Sequence, residues 1–271
     1  MTPVTLCLAV TTCPCGNFED NLNTCVAIIQ AAARKKADMI VFPEMNLTGY
    51  GTGSQVRSIA RIVDADLITR FTRLSDDLNL AILAGLVEKA DNGQIYGSHL
   101  VFTPKAPTGR YRKLHTAPNE QGVFTPGTRM PLFNHKGVRF GIQLCYDAHF
   151  PELSTAMALA GADLIILPHA SPRGTSREKF ASWMRHLPAR AFDNGLFIAA
   201  VNQTGDNGAG LQFPGLAVVV GPDGNLISRS LSGKNHLHFV TLDPKDLARV
   251  RSHRMRYFLP FRRSDLFPVS F

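Results

Sequence analysis

Three widely separated residues, Glu44, Lys113 and Cys145, are of the types that together carry out nucleophilic catalysis. Cys145 follows an apolar run, residues 138–144, and precedes a helix start at Pro151, so its side chain should project from a sharp strand-to-helix turn. Free backbone N–H groups at such a turn favour the thiolate, which is the nucleophilic form of cysteine. The pattern predicts attack by the sulfur on an electrophilic carbon; the alternative is a small buried hydrophobic residue.

Glu44 and Lys113 supply the two further functions that such a nucleophile needs. Glu44 follows Phe42-Pro43 at the end of an apolar segment, where burial would raise the pKa of its carboxyl group toward that of a general base. The Lys113 ammonium, held near the sulfur, would favour the thiolate and then stabilise the oxyanion formed after attack. The alternatives are a surface glutamate and a solvated lysine.

The elements that must position these residues follow from hydrophobic periodicity. Buried or extended strands are predicted at residues 4–10, 38–43, 81–87, 98–103, 110–115, 138–144, 163–168, 196–202 and 236–242, with two more flanking Pro222-Asp-Gly224. Helices are predicted at 21–36, 66–78, 152–160 and 177–192, the last with a break at Pro188. Residues 45–55, 116–131 and 202–215 are predicted loops, the last at the edge of a pocket.

The two halves of the chain repeat one pattern. Residues 37–43 read Ala-Asp-Met-Ile-Val-Phe-Pro and residues 162–168 read Ala-Asp-Leu-Ile-Ile-Leu-Pro, each after an alanine-rich helix. Fully apolar strands must be covered on both faces, so we expect an α/β fold with two packed β-sheets and helices outside, a four-layer α-β-β-α sandwich formed by a single domain, residues 1–271. Ligands in such sheets gather beyond the carboxyl ends of strands, where Glu44 and Cys145 each follow a strand of a different half.

Four short motifs identify a family resemblance. They are Phe42-Pro-Glu44, Tyr111-Arg-Lys113-Leu-His115, Gly141-Ile-Gln-Leu-Cys145-Tyr-Asp and Phe150-Pro-Glu152. In this order and setting they resemble the nitrilase superfamily of carbon–nitrogen hydrolases. The resemblance extends over essentially the whole chain and implies the nitrilase type of α-β-β-α sandwich.

The resemblance also implies roles for individual residues. Cys145 would be the nucleophile, Glu44 the general base that later protonates the leaving amine, and Lys113 an oxyanion ligand together with the backbone N–H of Tyr146. Glu120 matches a second family glutamate that fixes the lysine and touches substrate. The implied course is a thioester acyl-enzyme, release of ammonia or an amine, and hydrolysis by water.

The substrate prediction rests on the segment after strand 163–168. His169 and Arg173 should approach the pocket, and Arg173 or Arg177 could pair with a substrate carboxylate, as in hydrolases of N-carbamoyl amino acids or ω-amides. The cysteine motif is more similar to the amidase and carbamoylase branches, so we expect a small linear amide or ureido substrate. A nitrile-hydrolysing nitrilase and a catalytically idle interaction protein are the alternatives, although an idle protein has no need of the complete Glu-Lys-Cys set.

Histidines offer rival sites. A Cys–His dyad would use His115, His149 or His169, but the sequence shows no third group to orient the imidazole. Asp147 and His149 would contact either substrate or the backbone of their own turn. A metal site at His236 and His238 lacks a further ligand, and the glycines of 205–210 lack a phosphate-binding pattern, so we predict neither a metal nor a cofactor.

Composition sets outer bounds. The chain has a formal net charge of +8, and six arginines lie between residues 249 and 263; without a nucleic-acid motif, this favours a solvated tail or a subunit contact. We expect no nucleic-acid partner, no membrane association, and a homodimer or larger homo-oligomer. The tail, residues 244–271, should either lie at the subunit interface or fold back on its own domain. An odd count of five cysteines predicts a reduced, cytoplasmic protein and leaves Cys13 and Cys15 without a predicted role.

Overall fold

Two six-stranded sheets form the centre of the protein in the computed structural model, which describes residues 2–267. The first sheet contains, in spatial order, β14 (His236–Leu242), β1 (Val4–Val10), β2 (Met39–Val41), β3 (Ala81–Lys89), β4 (Ile95–Phe102) and β5 (Gly109–Arg112). The second contains β13 (Leu226–Ser230), β12 (Ala217–Val220), β9 (Phe197–Asn202), β8 (Leu164–His169), β7 (Val138–Ile142) and β6 (Phe133–His135). A separate hairpin pairs β10 (Thr204–Asp206) with β11 (Gln212–Pro214).

The repeat seen in the sequence is the parallel centre of each sheet. Strands β1, β2 and β3 pair in parallel in the first sheet, and β7, β8 and β9 do so in the second. One apolar cluster contains side chains of both sheets, among them Leu8, Val41, Ile142 and Ala199, so the sheets pack face to face. Apolar strands of this kind need cover on both faces, and the predicted sandwich is confirmed.

Helices cover the outer faces. They are α1 (Phe18–Arg34), α2 (Gln55–Ile59), α3 (Ala65–Leu78), α4 (Pro151–Leu159), α5 (Ser176–Trp183), α6 (Leu187–Asn194) and α7 (Pro244–Arg251). Ile29 of α1 and Phe71 of α3 pack against the first sheet, whereas Met157 of α4 and Ala191 of α6 pack against the second. Burial of these apolar stripes holds the outer layers in place. In the described residues, no helix has the length and apolar character needed to cross a bilayer.

The structure corrects several predicted elements. The helix predicted over 177–192 is two helices, α5 and α6, and the chain breaks before Pro188 rather than at it. Pro188 lies in the first turn of α6, where its missing N–H group is not needed. The loop 202–215 contains the β10–β11 hairpin, α2 begins at the end of the loop 45–55, and α7 forms at the start of the predicted tail. Residues 268–271 of that tail lie outside the described part of the chain.

Candidate active site

The candidate catalytic residues lie beyond strand ends on the same side of the two sheets. Glu44 follows β2, Lys113 directly follows β5, and Cys145 begins a 3-10 turn, Cys145–His149, shortly after β7. Lys113 and Cys145 line one cavity of about 670 Å³. Glu44 is not among the lining residues, but its carboxylate accepts a hydrogen bond from Lys113. Glu44 and Cys145 are 101 positions apart in sequence. They come close together because each sheet contributes strand ends to one edge of the sandwich.

Lys113 holds two buried carboxylates together. Its Nζ donates to Glu44 Oε1 at 2.9 Å and to Glu120 Oε1 at 2.8 Å, and all three side chains are at most 3% exposed. Each carboxylate has a second anchor, because Glu44 Oε2 accepts the Ala170 N–H at 3.0 Å and Glu120 Oε2 accepts the Ala117 N–H at 2.8 Å. The ammonium position is therefore fixed by groups on both sheets and on the loop after β5.

Two acids around one base set the protonation of the site. Burial raises the pKa of Glu44 to about 7, against the lowering effect of Lys113, and the negative charge of Glu120 adds to the increase. Burial disfavours the charged form of Lys113, but Glu44 and Glu120 outweigh it and raise the lysine pKa. Glu44 is thus poised to exchange a proton near neutral pH while Lys113 stays charged.

The thiol of Cys145 differs from the sequence expectation of a thiolate. Burial, followed by the negative charge of Glu44, raises its pKa above the ordinary range, and the opposing effect of Lys113 is smaller. The resting group is therefore a neutral thiol. Nucleophilic attack requires a base to remove the proton during the reaction, and the neighbouring Glu44 is of the right type.

The turn that presents Cys145 is strained and held from beneath. Cys145 has φ of 44°, a left-handed conformation that costs energy for a residue with a side chain. Hydrogen bonds to the Asp147 carboxylate offset this cost. Its Oδ2 accepts hydrogen bonds from the Leu144 N–H at 2.9 Å and the Tyr111 hydroxyl at 2.7 Å, and its Oδ1 accepts one from the His115 N–H at 2.8 Å. Fully buried Asp147 therefore stabilises the turn and does not face the cavity. In the first positions of this turn, the Cys145 and Tyr146 N–H groups have no partner within the turn.

Residues predicted to bind substrate are divided between the cavity and the core. Glu120, Tyr146 and Arg173 line the cavity. His169 is buried at the end of β8, with its Nδ1 2.8 Å from the Leu167 carbonyl oxygen and its ring packed on Trp183. Burial lowers the pKa of His169 to about 3, so its imidazole is neutral. The substrate role of His169 stays a prediction; its observed contacts are those of a packing residue.

The Cys–His dyad gains no support from the geometry. Across residues 2–267, no imidazole is hydrogen-bonded to Cys145 Sγ. His115 Nδ1 lies 2.8 Å from Asp147 Oδ1 and its ring stacks on Phe150, while His149 lines the rim of the cavity. His238, of the rejected metal pair, has its Nε2 2.9 Å from Ser228 Oγ.

Two residues of the site were missed by the sequence analysis. The Tyr50 hydroxyl donates to Glu120 Oε1 at 3.1 Å, and the loop that follows Glu44 was the available signal for it. Lys179 Nζ donates to Ser171 Oγ at 2.8 Å and to the Pro172 carbonyl at 3.0 Å, which shapes the cavity wall, and its charge lowers the pKa of Cys145. No sequence signal distinguishes Lys179 from other helical lysines.

Comparisons with known proteins find similar sequences and a similar fold. Residues 7–252 match the family model described as carbon-nitrogen hydrolase. An (R)-stereoselective amidase from Pseudomonas sp. is 31% identical over 87% of this chain and 84% of its own. An omega-amidase from Xenopus tropicalis is 26% identical over 92% of both chains.

A solved amidase from Nesterenkonia sp. provides the structural comparison. It superposes with a TM-score of 0.81 at 25% identity, covering 97% of this chain and 95% of its own. A variant of that amidase carries the acetamide moiety of fluoroacetamide added covalently at its active-site cysteine.

Proposed function

Because the chain belongs to the carbon–nitrogen hydrolase family, we propose that it is an amidase that cleaves a small linear amide through a thioester on Cys145. The observation that carries this proposal is the buried Glu44–Lys113–Glu120 hydrogen-bonded chain, of which Lys113 and Glu120 line the same cavity as Cys145. A base, a fixed cation and a thiol are the groups that acyl transfer to sulfur requires. The covalent acetamide adduct of the related amidase supports the same assignment.

Acylation begins with transfer of the Cys145 thiol proton to the Glu44 carboxylate while Sγ bonds to the amide carbon. The carbonyl oxygen becomes an oxyanion, which accepts hydrogen bonds from Lys113 Nζ and from the backbone N–H of Tyr146. The intermediate then collapses, the C–N bond breaks, and protonated Glu44 returns its proton to the leaving nitrogen. Ammonia or an amine departs and a thioester remains.

Deacylation reuses the same groups with water as the nucleophile. Glu44 removes a proton from water as its oxygen attacks the thioester carbon, and Lys113 and the Tyr146 N–H again hold the oxyanion. Breakage of the C–S bond releases the carboxylic acid, and the Glu44 proton returns to the sulfur. The cycle is complete with no net change in the enzyme, and Glu44 must start each half-reaction ionised.

We expect kcat/KM for amide hydrolysis to fall as the pH drops below about 7, because protonated Glu44 cannot act as a base. Glu120→Gln removes a negative charge that raises the Glu44 pKa, so the acid limb should move to lower pH. The plateau should fall about tenfold, since Lys113 loses one charged anchor. Stopped assays over a pH series measure both effects. The exposed Glu19→Gln is the control, and an acid limb that does not move in Glu120→Gln would contradict this electrostatic account.

We further propose that the substrate carries a carboxylate that pairs with Arg173, an exposed residue on the cavity rim. A panel of ω-amides, N-carbamoyl amino acids, neutral amides and nitriles, read by ammonia release, tests the function and its substrate class together. Arg173→Gln should raise KM for carboxylate-bearing amides about tenfold or more and leave neutral amides unchanged. Arg177→Gln is the matched control outside the cavity lining.

The panel also separates the alternatives. Preferred turnover of nitriles would favour a nitrilase, and no turnover of any compound would favour an idle interaction protein. If wild type hydrolyses amides but Arg173→Gln affects acidic and neutral amides equally, the carboxylate assignment is wrong while the amidase assignment stands.

We also propose a homodimer or larger homo-oligomer, with the tail as one contact. The tail exposes large apolar side chains after α7, including Met255, Phe258, Phe261 and Phe267. Phe258 packs against Phe192 of α6, which is itself 43% exposed, so the two form a continuous apolar surface. Such a surface supports a contact with a second copy of the chain.

A further inference from the structure

We propose that Arg110, Arg112 and Arg129, with Thr128, bind the phosphate group of a small anionic molecule at a second site. These four residues line a cavity of about 390 Å³ that shares no lining residue with the candidate active site. The proposal is independent of the amidase assignment, because it uses none of the residues assigned to catalysis.

Side-chain alternation places this site on the far face of the strand that leads to Lys113. In β5, Tyr111 points into the core between the two sheets, so Arg110 and Arg112 on either side of it point to the opposite face. That face belongs to the layer covered by α1 and α3, but near Arg110 and Arg112 it is open. Thr128 and Arg129 reach the cavity from the loop before β6, and the backbone of that loop is anchored by a 2.7 Å hydrogen bond from the Gly127 N–H to the Lys113 carbonyl.

A buried acid fixes two of the arginines in place. Glu88 is 2% exposed; its Oε1 accepts from Arg110 Nη1 at 2.5 Å and from Arg112 Nη2 at 2.6 Å, and its Oε2 accepts from Arg112 Nε at 3.0 Å. The Arg112 guanidinium also lies 3.8 Å from the ring centroid of Tyr96. Both guanidinium groups are thus held before any ligand arrives, which reduces the entropy lost on binding.

The charge of the cluster is not balanced. Two of the three guanidinium groups, those of Arg110 and Arg112, share the one carboxylate of Glu88, and no acid pairs with Arg129 among residues 2–267. Arg110 and Arg112 each keep N–H donors that Glu88 does not use, and their side chains are 36% and 30% exposed. An anion with two charges and three terminal oxygens matches three guanidinium groups and a hydroxyl better than a single carboxylate does. This donor set points to a phosphate group.

Binding can be measured on the full-length protein by calorimetry at constant ionic strength, with chloride as the balancing ion. Inorganic phosphate, a sugar phosphate and AMP serve as probes, since all three carry the group that the site would recognise. We expect saturable 1:1 binding that Arg129→Gln weakens about tenfold, because one charge-assisted contact is lost. Arg73→Gln, at an exposed position of α3, makes the same charge change elsewhere and should leave the affinity within about twofold.

Arg129 is the residue to change because its side chain is exposed, whereas loss of Arg110 or Arg112 would leave Glu88 buried with fewer partners. Tighter binding of AMP or the sugar phosphate than of inorganic phosphate would identify the esterified source, and the reverse order would identify the free ion. The proposal is overturned if no probe saturates up to about 10 mM, or if Arg129→Gln and Arg73→Gln weaken binding equally.

Discussion

Cys145→Ala is expected to lower amide hydrolysis by about 10⁴-fold or more, because it removes the one thiol among the residues that line the cavity. The substitution removes one sulfur atom from a half-buried residue, and the hydrogen bonds that hold its turn belong to Asp147. Unfolding temperature should therefore stay within a few degrees of wild type. Initial rates of ammonia release, paired with a thermal melt, measure both quantities.

Cys15→Ala is the matched control, since Cys15 is also half-buried but lies outside the cavity lining. It should retain the wild-type rate. A mass shift equal to one acyl group should appear on wild-type protein quenched during turnover and be absent from Cys145→Ala. Wild-type rates in Cys145→Ala would show that the nucleophile is misassigned. If Cys145→Ala does not fold, the near-isosteric Cys145→Ser is measured in its place.

The fold was predictable because its signals are local and repeated. The segments at 37–43 and 162–168 are apolar on both faces, which requires cover on both sides, and they became the central strands β2 and β8. Glu44 could be placed at a strand end from its position after Pro43. Its convergence with Cys145 followed from the rule that the carboxyl ends of parallel strands share one edge.

The electrostatics of the site could not be predicted, because they depend on contacts between distant segments. A thiol beside a lysine is predicted to be a thiolate. In the structure, burial and the charge of Glu44 raise the Cys145 pKa more than Lys113 lowers it, so the thiol stays protonated. The sequence allows Asp147 to be either a substrate ligand or a turn residue. The hydrogen bond from the Tyr111 hydroxyl, 36 positions away in sequence, decides for the turn. Lys179 lies on α5 and reaches the cavity only because that helix packs beside it.

Lys113→Met is expected to affect stability and activity together, and a double variant separates the two. Lys113 is 3% exposed on its side chain and is hydrogen-bonded to both Glu44 and Glu120. Its loss leaves two carboxylates buried without a cation, which should cost about 3–5 kcal/mol of unfolding free energy even after one of them takes a proton. Hydrolysis should fall about 10³-fold or more, because the oxyanion loses its charged donor.

Lys179→Met is the matched control, since Lys179 is a half-buried lysine at the same cavity but contacts only neutral oxygens of Ser171 and Pro172. Its unfolding free energy should fall by about 2 kcal/mol, because two hydrogen bonds of about 1 kcal/mol each are lost. Chemical denaturation monitored by fluorescence of the single tryptophan, Trp183, provides the measurement for every variant.

Lys113→Met combined with Glu120→Gln distinguishes a structural lysine from a catalytic one. The double variant keeps one buried carboxyl group, Glu44, which can take a proton and become neutral, so most of the lost stability should return. The rate is measured at a pH high enough to ionise Glu44, so that the base is available. The lysine is still missing, so the oxyanion still lacks its charged donor and hydrolysis should stay about 10³-fold below wild type. If the rate instead recovered with the stability, Lys113 would serve only to neutralise the two acids, and the oxyanion would have to be held by the backbone N–H groups of the Cys145 turn alone.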